Sequence, residues 1–128
     1  GIEALSYGAG WVDFVERSPG LCRRIRDHLE ANDLAYRTHV YCVTIKKALG
    51  FLSEPYDLVM MDPPYDEPGA DEALDKLSAA GLLRDRAVVV FEHASHSSFD
   101  PSPGRLSLVS TRRYGDTAIS LYQLEASR

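Results

Sequence analysis

Short apolar runs and amphipathic stretches follow one another along the chain. Residues 58–61 and 86–92 are largely apolar without polar alternation, which is typical of strands buried on both faces of a sheet. Leu21, Ile25 and Leu29 recur at the spacing of one helix face. The pattern therefore predicts strands and helices in alternation.

The predicted elements end in a β-hairpin. In chain order they are a helix ending at Gly8, a strand at residues 11–16, a helix from Ser18-Pro19 to about residue 30 that Asn32-Asp33 stops, a strand at 37–43, a helix at 44–52, the strand leading to residue 61, a helix from residue 71 to Gly81 with Leu74 and Leu77 facing inward, a strand at 86–92, and a hairpin of residues 106–113 and 117–124. This order predicts one α/β domain over residues 1–128, with a mainly parallel sheet, helices on both faces and an antiparallel edge.

Composition narrows the function classes only in part. The 128 residues are 45% hydrophobic and carry a formal net charge of -5, which excludes a generally basic nucleic-acid binder but not a local basic patch. Cys22 and Cys42 lack C-x-x-C spacing and the density of a disulfide scaffold, so we expect free thiols. With no apolar run of membrane-spanning length and no signal-peptide pattern, we expect a cytoplasmic protein that does not bind a membrane.

The motif Asp62-Pro63-Pro64-Tyr65 directly follows the first apolar run. The prolines cannot continue a sheet and predict a stiff, extended loop that presents one carboxylate and one ring. Asp62 and the carbonyl of Pro63 can accept hydrogens from an amino group on an aromatic ring, and Tyr65 can stack on a flipped base. A buried strand that ends in an ordinary Asp-Pro turn is the alternative. The full tetrapeptide after such a strand favours the amine site.

Glu16 ends the first predicted strand. Nucleotide-binding α/β folds typically have an acid at such a strand end, where it accepts hydrogen bonds from ribose hydroxyls. A solvated acid near the N-terminus of the helix that starts at Ser18 is the alternative interpretation. The residue and its position leave both open.

These features together resemble one family along essentially the whole chain. The matching segments are Gly1-Ile2-Glu3-Ala4-Leu5-Ser6 with Gly8-Ala9, Phe14-Val15-Glu16, Asp57-Leu58-Val59 with the motif at 62–65, Phe91-Glu92, and Tyr114-Gly115-Asp116-Thr117-Ala118 before Leu121-Tyr122. In them the chain resembles the RsmD-type family of class I methyltransferases. The resemblance implies a Rossmann-like fold, S-adenosyl-L-methionine as cofactor, and methylation of the exocyclic N2 amine of a guanine in small-subunit ribosomal RNA.

The resemblance also implies roles for individual residues. Asp62, Pro63, Pro64 and Tyr65 would hold the target amine. The cofactor would contact Glu16, Arg17, Thr44, Ile45 and Asp62. The family usually has an acid or amide at the position of Thr44, where a hydroxyl can still reach an adenine nitrogen.

Family members also have a strand and a glycine-rich loop immediately before the segment that begins here at Gly1. That strand lies between the strands at 11–16 and 56–62. We therefore expect the chain from Gly1 alone to bind the cofactor poorly, and its open strand edges to allow a homo-oligomer. An adenine-N6 DNA methyltransferase and a catalytically inactive fragment or binding module are the alternative hypotheses.

Smaller signals at the strand ends have two interpretations each. Glu92 matches the family and either shapes the site or is a solvated acid. No third potential ligand has a spacing from His93 and His96 that is typical of a metal site, which disfavours a metal. Arg112 and Arg113, with Arg105, could touch RNA phosphates, but solvated charges on an edge strand are the simpler interpretation.

Overall fold

The computed structural model describes residues 10–53, 55–61, 70–79, 81–95 and 104–125. Its elements are strands β1 (Val12–Val15), β2 (Thr38–Tyr41), β3 (Tyr56–Met61), β4 (Leu83–Ala94), β5 (Leu106–Tyr114) and β6 (Thr117–Leu124), and helices α1 (Pro19–Ala31), α2 (Ile45–Phe51) and α3 (Ala70–Ala79), with a 3-10 turn at Ala35–Arg37. The predicted helix that ends at Gly8 and the motif at 62–65 lie outside the described residues.

The chain divides into two compact units, Gly1–Phe51 and Leu52–Arg128, and each is described here by itself. The expectation of a single domain stays a prediction. None of the described helices combines the length and the apolar character that crossing a membrane requires.

The first unit is a parallel strand pair with a connecting helix. β1 and β2 pair in register from Val12↔Thr38 to Val15↔Tyr41. Ser18 starts α1 as predicted, because its hydroxyl accepts the Leu21 amide at 3.4 Å. Asn32 caps the other end of the helix, also as predicted.

The predicted inward stripe of α1 is only partly correct. Leu29 is buried, with 1% of its surface exposed, but Leu21 is 45% exposed and Cys22, at 0%, is buried in its place. The prediction of free thiols is wrong, because Cys22 and Cys42 form a disulfide. The bridge ties α1 to the segment after β2, which turns Cys22 inward and leaves Leu21 outside.

The second unit is a four-stranded mixed sheet in the order β3-β4-β6-β5. β3 and β4 are parallel, while β4-β6 and β6-β5 are antiparallel. The predicted hairpin is confirmed, and Gly115 supplies the positive φ of 60° that its tight turn needs. Leu74 and Leu77 of α3 are buried as predicted.

The prediction that β3 is buried on both faces is wrong. Met61 is 7% exposed, but Leu58 and Met60 are 48% and 61% exposed. These two side chains share the face opposite Met61, because neighbours along a strand point to opposite faces. In β4 the side chains of Val89 and Phe91 are buried and Val90 between them is half-buried, so this strand is not fully buried on both faces either.

Candidate functional site

The carboxyl ends of β1 and β2 bring two predicted cofactor segments together. Glu16 follows β1 and its amide donates to the Tyr41 carbonyl at 3.0 Å, which extends the ladder by one residue. Cys42 follows Tyr41 directly, and Thr44 comes two residues later. Because the strands are parallel, both segments emerge at the same end of this pair.

The carboxylate of Glu16 is held at the start of α1. Its Oε1 accepts a hydrogen bond from the Ser18 amide at 3.1 Å. This amide belongs to the N-cap residue of α1, next to the end of the helix where the dipole favours a negative charge. A carboxylate offers about four acceptor positions, so the bond orients the half-buried Glu16 side chain and leaves acceptor capacity. Arg17, the next residue, is exposed.

Thr44 begins α2 through its side chain and its backbone. Its Oγ1 accepts the Lys47 amide at 3.2 Å. Its carbonyl accepts the Ala48 amide at 3.0 Å. In this arrangement the hydroxyl proton of the exposed Thr44 can be donated to another acceptor. Ile45 is 41% exposed and begins the helix beside it.

The motif predicted to bind the target amine follows β3 in the second unit. β3 ends at Met61, which pairs with Phe91 of β4. Asp62, Pro63, Pro64 and Tyr65 lie outside the described residues, and Asp62 is bonded directly to Met61. β4 continues past this pair to Glu92, which is half-buried and opposite Ile119 of β6.

The imidazole of His93 takes part in a buried hydrogen-bond chain that the sequence did not reveal. Its Nδ1 lies 2.9 Å from the carbonyl oxygen of Ala94, and its Nε2 lies 2.7 Å from Oγ of Ser120. Ser120 Oγ is 3.0 Å from Oγ1 of Thr111. A carbonyl only accepts, so in the neutral ring Nδ1 carries the proton and Nε2 accepts from Ser120, which in turn accepts from Thr111.

The expectation that the histidines hold no metal stays a prediction. Within the described residues no group of His, Cys, Asp and Glu side chains is arranged to hold a metal ion. His96 lies outside those residues. The arginines of the hairpin are exposed, and Arg113 donates from Nε to the Ser95 carbonyl at 3.3 Å.

Comparison with known proteins identifies the family. The model of a family described as "Conserved hypothetical protein 95" matches residues 1–123. The chain belongs to this family. It is 28% identical over 129 aligned positions to "Ribosomal RNA small subunit methyltransferase D" of Escherichia coli K12, covering 98% of this chain and 63% of that protein. The chain thus spans less than two thirds of that relative's length.

Solved structures confirm the fold of the family. A conserved hypothetical protein from Streptococcus pyogenes is 25% identical with a TM-score of 0.91, covering 97% of this chain and 78% of that one. An O-methyltransferase family protein from Burkholderia thailandensis, 16% identical, has a TM-score of 0.66 and covers 91% of this chain and 44% of that one. The RsmD-type resemblance, the Rossmann-like α/β fold and membership of a family with relatives named as methyltransferases are confirmed. The roles of single residues stay predictions.

Proposed function

We propose that this protein transfers a methyl group from S-adenosyl-L-methionine to the exocyclic N2 amine of a guanine in small-subunit ribosomal RNA. One observation carries the proposal. The Asp-Pro-Pro-Tyr motif, which we propose binds the amine, begins in the sequence at the residue after β3, in a chain that matches its family over residues 1–123. The Escherichia coli relative is named for this class of activity.

The donors and acceptors at the end of β1 and β2 fit the cofactor's nucleoside. Glu16 would accept hydrogen bonds from ribose hydroxyls, and the bond from Ser18 already fixes its orientation. Thr44 would donate its hydroxyl proton to an adenine nitrogen, since its oxygen already accepts from Lys47. Ile45 would cover the apolar adenine face, and Arg17 would lie beside the same end. The bound cofactor would supply an electrophilic methyl group on a sulfonium.

The motif after β3 would prepare the nucleophile. The lone pair of an exocyclic amine is delocalised into the base, so the nitrogen is a poor nucleophile. Asp62 and the carbonyl of Pro63 would accept the hydrogens of the amine and stabilise the positive charge that develops on its nitrogen. Asp62 would also contact the cofactor. Pro64 would keep the loop rigid, and Tyr65 would stack on the flipped guanine.

Further parts of the proposal concern assembly and location. The two compact units would act as one catalytic domain over residues 1–128. The partner would be the small ribosomal subunit or its precursor, approached in the cytoplasm. Exposed strand edges would allow a homo-oligomer, because unpaired edge groups can extend a sheet into a second copy.

The test compares two matched substitutions in the full-length gene product. Asp62→Asn removes the charge of the proposed amine acceptor, and activity on unmethylated small subunits should fall by about 100-fold or more. Asp57→Asn makes the same change at the start of β3, where the carboxylate is 79% exposed beside Arg84, and should leave activity intact. Nucleoside analysis of the product should show N2-methylguanine.

The same assay, run in parallel with DNA as substrate and with a titration of the cofactor, decides between the hypotheses. N6-methyladenine formed in DNA would support the adenine methyltransferase instead. Absence of both cofactor binding and methyl transfer in the full-length protein would support an inactive binding module. Equal activity of the two Asp variants would remove Asp62 from the proposed mechanism.

A further inference from the structure

The disulfide between Cys22 and Cys42 lies at the proposed cofactor end of the first unit. The two Cα atoms are 6.0 Å apart, which is within the range that a disulfide spans without backbone movement. Sγ of Cys22 lies 3.1 Å from the carbonyl oxygen of Glu16. The bridge therefore contacts the turn that carries the proposed ribose acceptor.

The same bridge fixes the second cofactor segment. Cys42 is separated from Thr44 by one residue, and Thr44 caps the helix that begins at Ile45. A displacement of Cys42 is thus passed to the proposed adenine contacts over a very short length of chain. Arg26, one turn after Cys22, separately holds β2 by donating to the Val40 carbonyl at 3.2 Å. Opening the bridge should accordingly loosen the strand ends without detaching α1.

We propose that Cys22 and Cys42 form a reversible thiol–disulfide pair that sets the order of the cofactor end, so that the protein responds to the redox state of its surroundings. The link to cofactor rests on the proposed function, whereas the redox pair itself does not. Disulfides in reducing compartments are usually transient, catalytic or redox-sensing rather than structural. The position of this one, against both proposed cofactor segments, favours sensing.

Access determines how the bridge opens. Cys22 is 0% exposed and Cys42 is half-buried, so an incoming thiolate from a dithiol reaches Sγ of Cys42. A bond forms to Cys42, the bridge breaks, and its electron pair passes to Cys22, which takes up a proton. The second thiol of the dithiol then displaces Cys42 as a protonated thiol, and the dithiol becomes a cyclic disulfide. A low-molecular-weight disulfide re-forms the bridge: it accepts two electrons and two protons from the two cysteine thiols and becomes two free thiols.

The first test needs no substitution. Protein treated with oxidised glutathione or dithiothreitol is denatured, labelled with a maleimide and weighed by mass spectrometry. The oxidised sample should take up no label and the reduced sample should be labelled at both Cys22 and Cys42. Amide hydrogen exchange should then be at least about fivefold faster after reduction in peptides covering residues 14–18 and 42–48. The β5–β6 hairpin, which lies in the other unit, serves as the internal control and should not change.

Two variants separate loss of the bridge from damage to the core. Cys42→Ser, at the half-buried position, should show fast exchange under both conditions. Cys22→Ala tests the buried partner and should behave in the same way if it folds. Failure of the wild type to form the bridge, or identical exchange in both redox states, would overturn the proposal.

Titration of the full-length protein with S-adenosylmethionine tests the functional link. A preorganised site binds with less ordering cost, so the Kd should be about threefold to tenfold lower in the oxidised protein. Equal Kd values in the two states would overturn control of the cofactor site while leaving the proposed function in place. A redox-dependent exchange pattern without cofactor binding in either state would support the redox pair and reject the proposed function.

Discussion

Replacing Glu16 by Gln tests directly whether this side chain binds the ribose of the cofactor. The structure shows one oxygen of this side chain accepting the Ser18 amide at 3.1 Å. Gln keeps a carbonyl oxygen for that bond, so the turn into α1 should be retained. What is lost is the negative charge, and with it one of the two acceptors that would meet the ribose hydroxyls.

The expected loss of affinity follows from that difference. A hydrogen bond to a charged group contributes about 1.5–3 kcal/mol, which corresponds to a Kd increase of roughly 10- to 150-fold. Glu16→Ala should lose at least as much affinity and should also destabilise the protein, because the Ser18 amide loses its side-chain acceptor and α1 loses a nearby negative charge that contributes about 0.3–1 kcal/mol. The Gln variant therefore separates binding from folding.

The assay is a calorimetric titration of the full-length gene product with S-adenosylmethionine, with thermal unfolding recorded in parallel. Glu30→Gln is the matched control, since Glu30 is an exposed acid near the far end of the same helix. The control should bind like the wild type. Glu16→Gln should bind weakly, while its unfolding temperature falls by no more than a few degrees, because only the helix-dipole contribution of about 0.3–1 kcal/mol is lost. Wild-type affinity in Glu16→Gln would mean that the carboxylate is only a helix-start acid, the interpretation that the sequence had left open.

Two further pairs of substitutions test the packing of the second unit. Ser120→Ala removes the partner of a buried imidazole and should lower the free energy of unfolding in urea by about 1–3 kcal/mol. Thr111→Val removes only the outer bond of the hydrogen-bond chain and should lower it by about 0.5–1.5 kcal/mol. A larger loss in Thr111→Val than in Ser120→Ala would contradict the hydrogen-bond chain. Gly104→Ala should destabilise the protein more than Gly115→Ala does, although both glycines have φ near +60°. A Cβ at Gly104 would lie 2.6 Å from Oγ of Ser78, while one at Gly115 meets nothing within 4 Å, so equal losses would contradict this packing.

Local features of the fold followed from the sequence. The start of α1 depends on Ser18 and the proline after it, and the hairpin turn depends on Gly115, so short-range chemistry was sufficient for both. Leu74 and Leu77 were placed correctly because their spacing puts them on one helix face. The motif after β3 was found from its residues alone, and the predicted strand that precedes it is confirmed.

Long-range features did not follow from the sequence. The exposure of Leu58 and Met60 depends on which elements cover β3. An apolar run alone does not specify those covering elements. The bond between His93 and Ser120 depends on the register of β4 against β6, in which His93 pairs with Ala118. A polar residue within a predicted buried strand is a local signal that could have pointed to this bond.

The disulfide shows how topology creates a contact that residue spacing conceals. Cys22 and Cys42 are separated by 20 positions, a distance that suggests no pairing. β1 and β2 are nevertheless parallel and in register, so the helix between them must return along the pair to begin the second strand beside the first. A residue in the first turns of that helix then lies near the carboxyl end of the pair, which is where the residue after the second strand emerges. In such a unit a cysteine at each of these two positions predicts a bridge, and the bridge lies at the end where α/β folds bind their ligands.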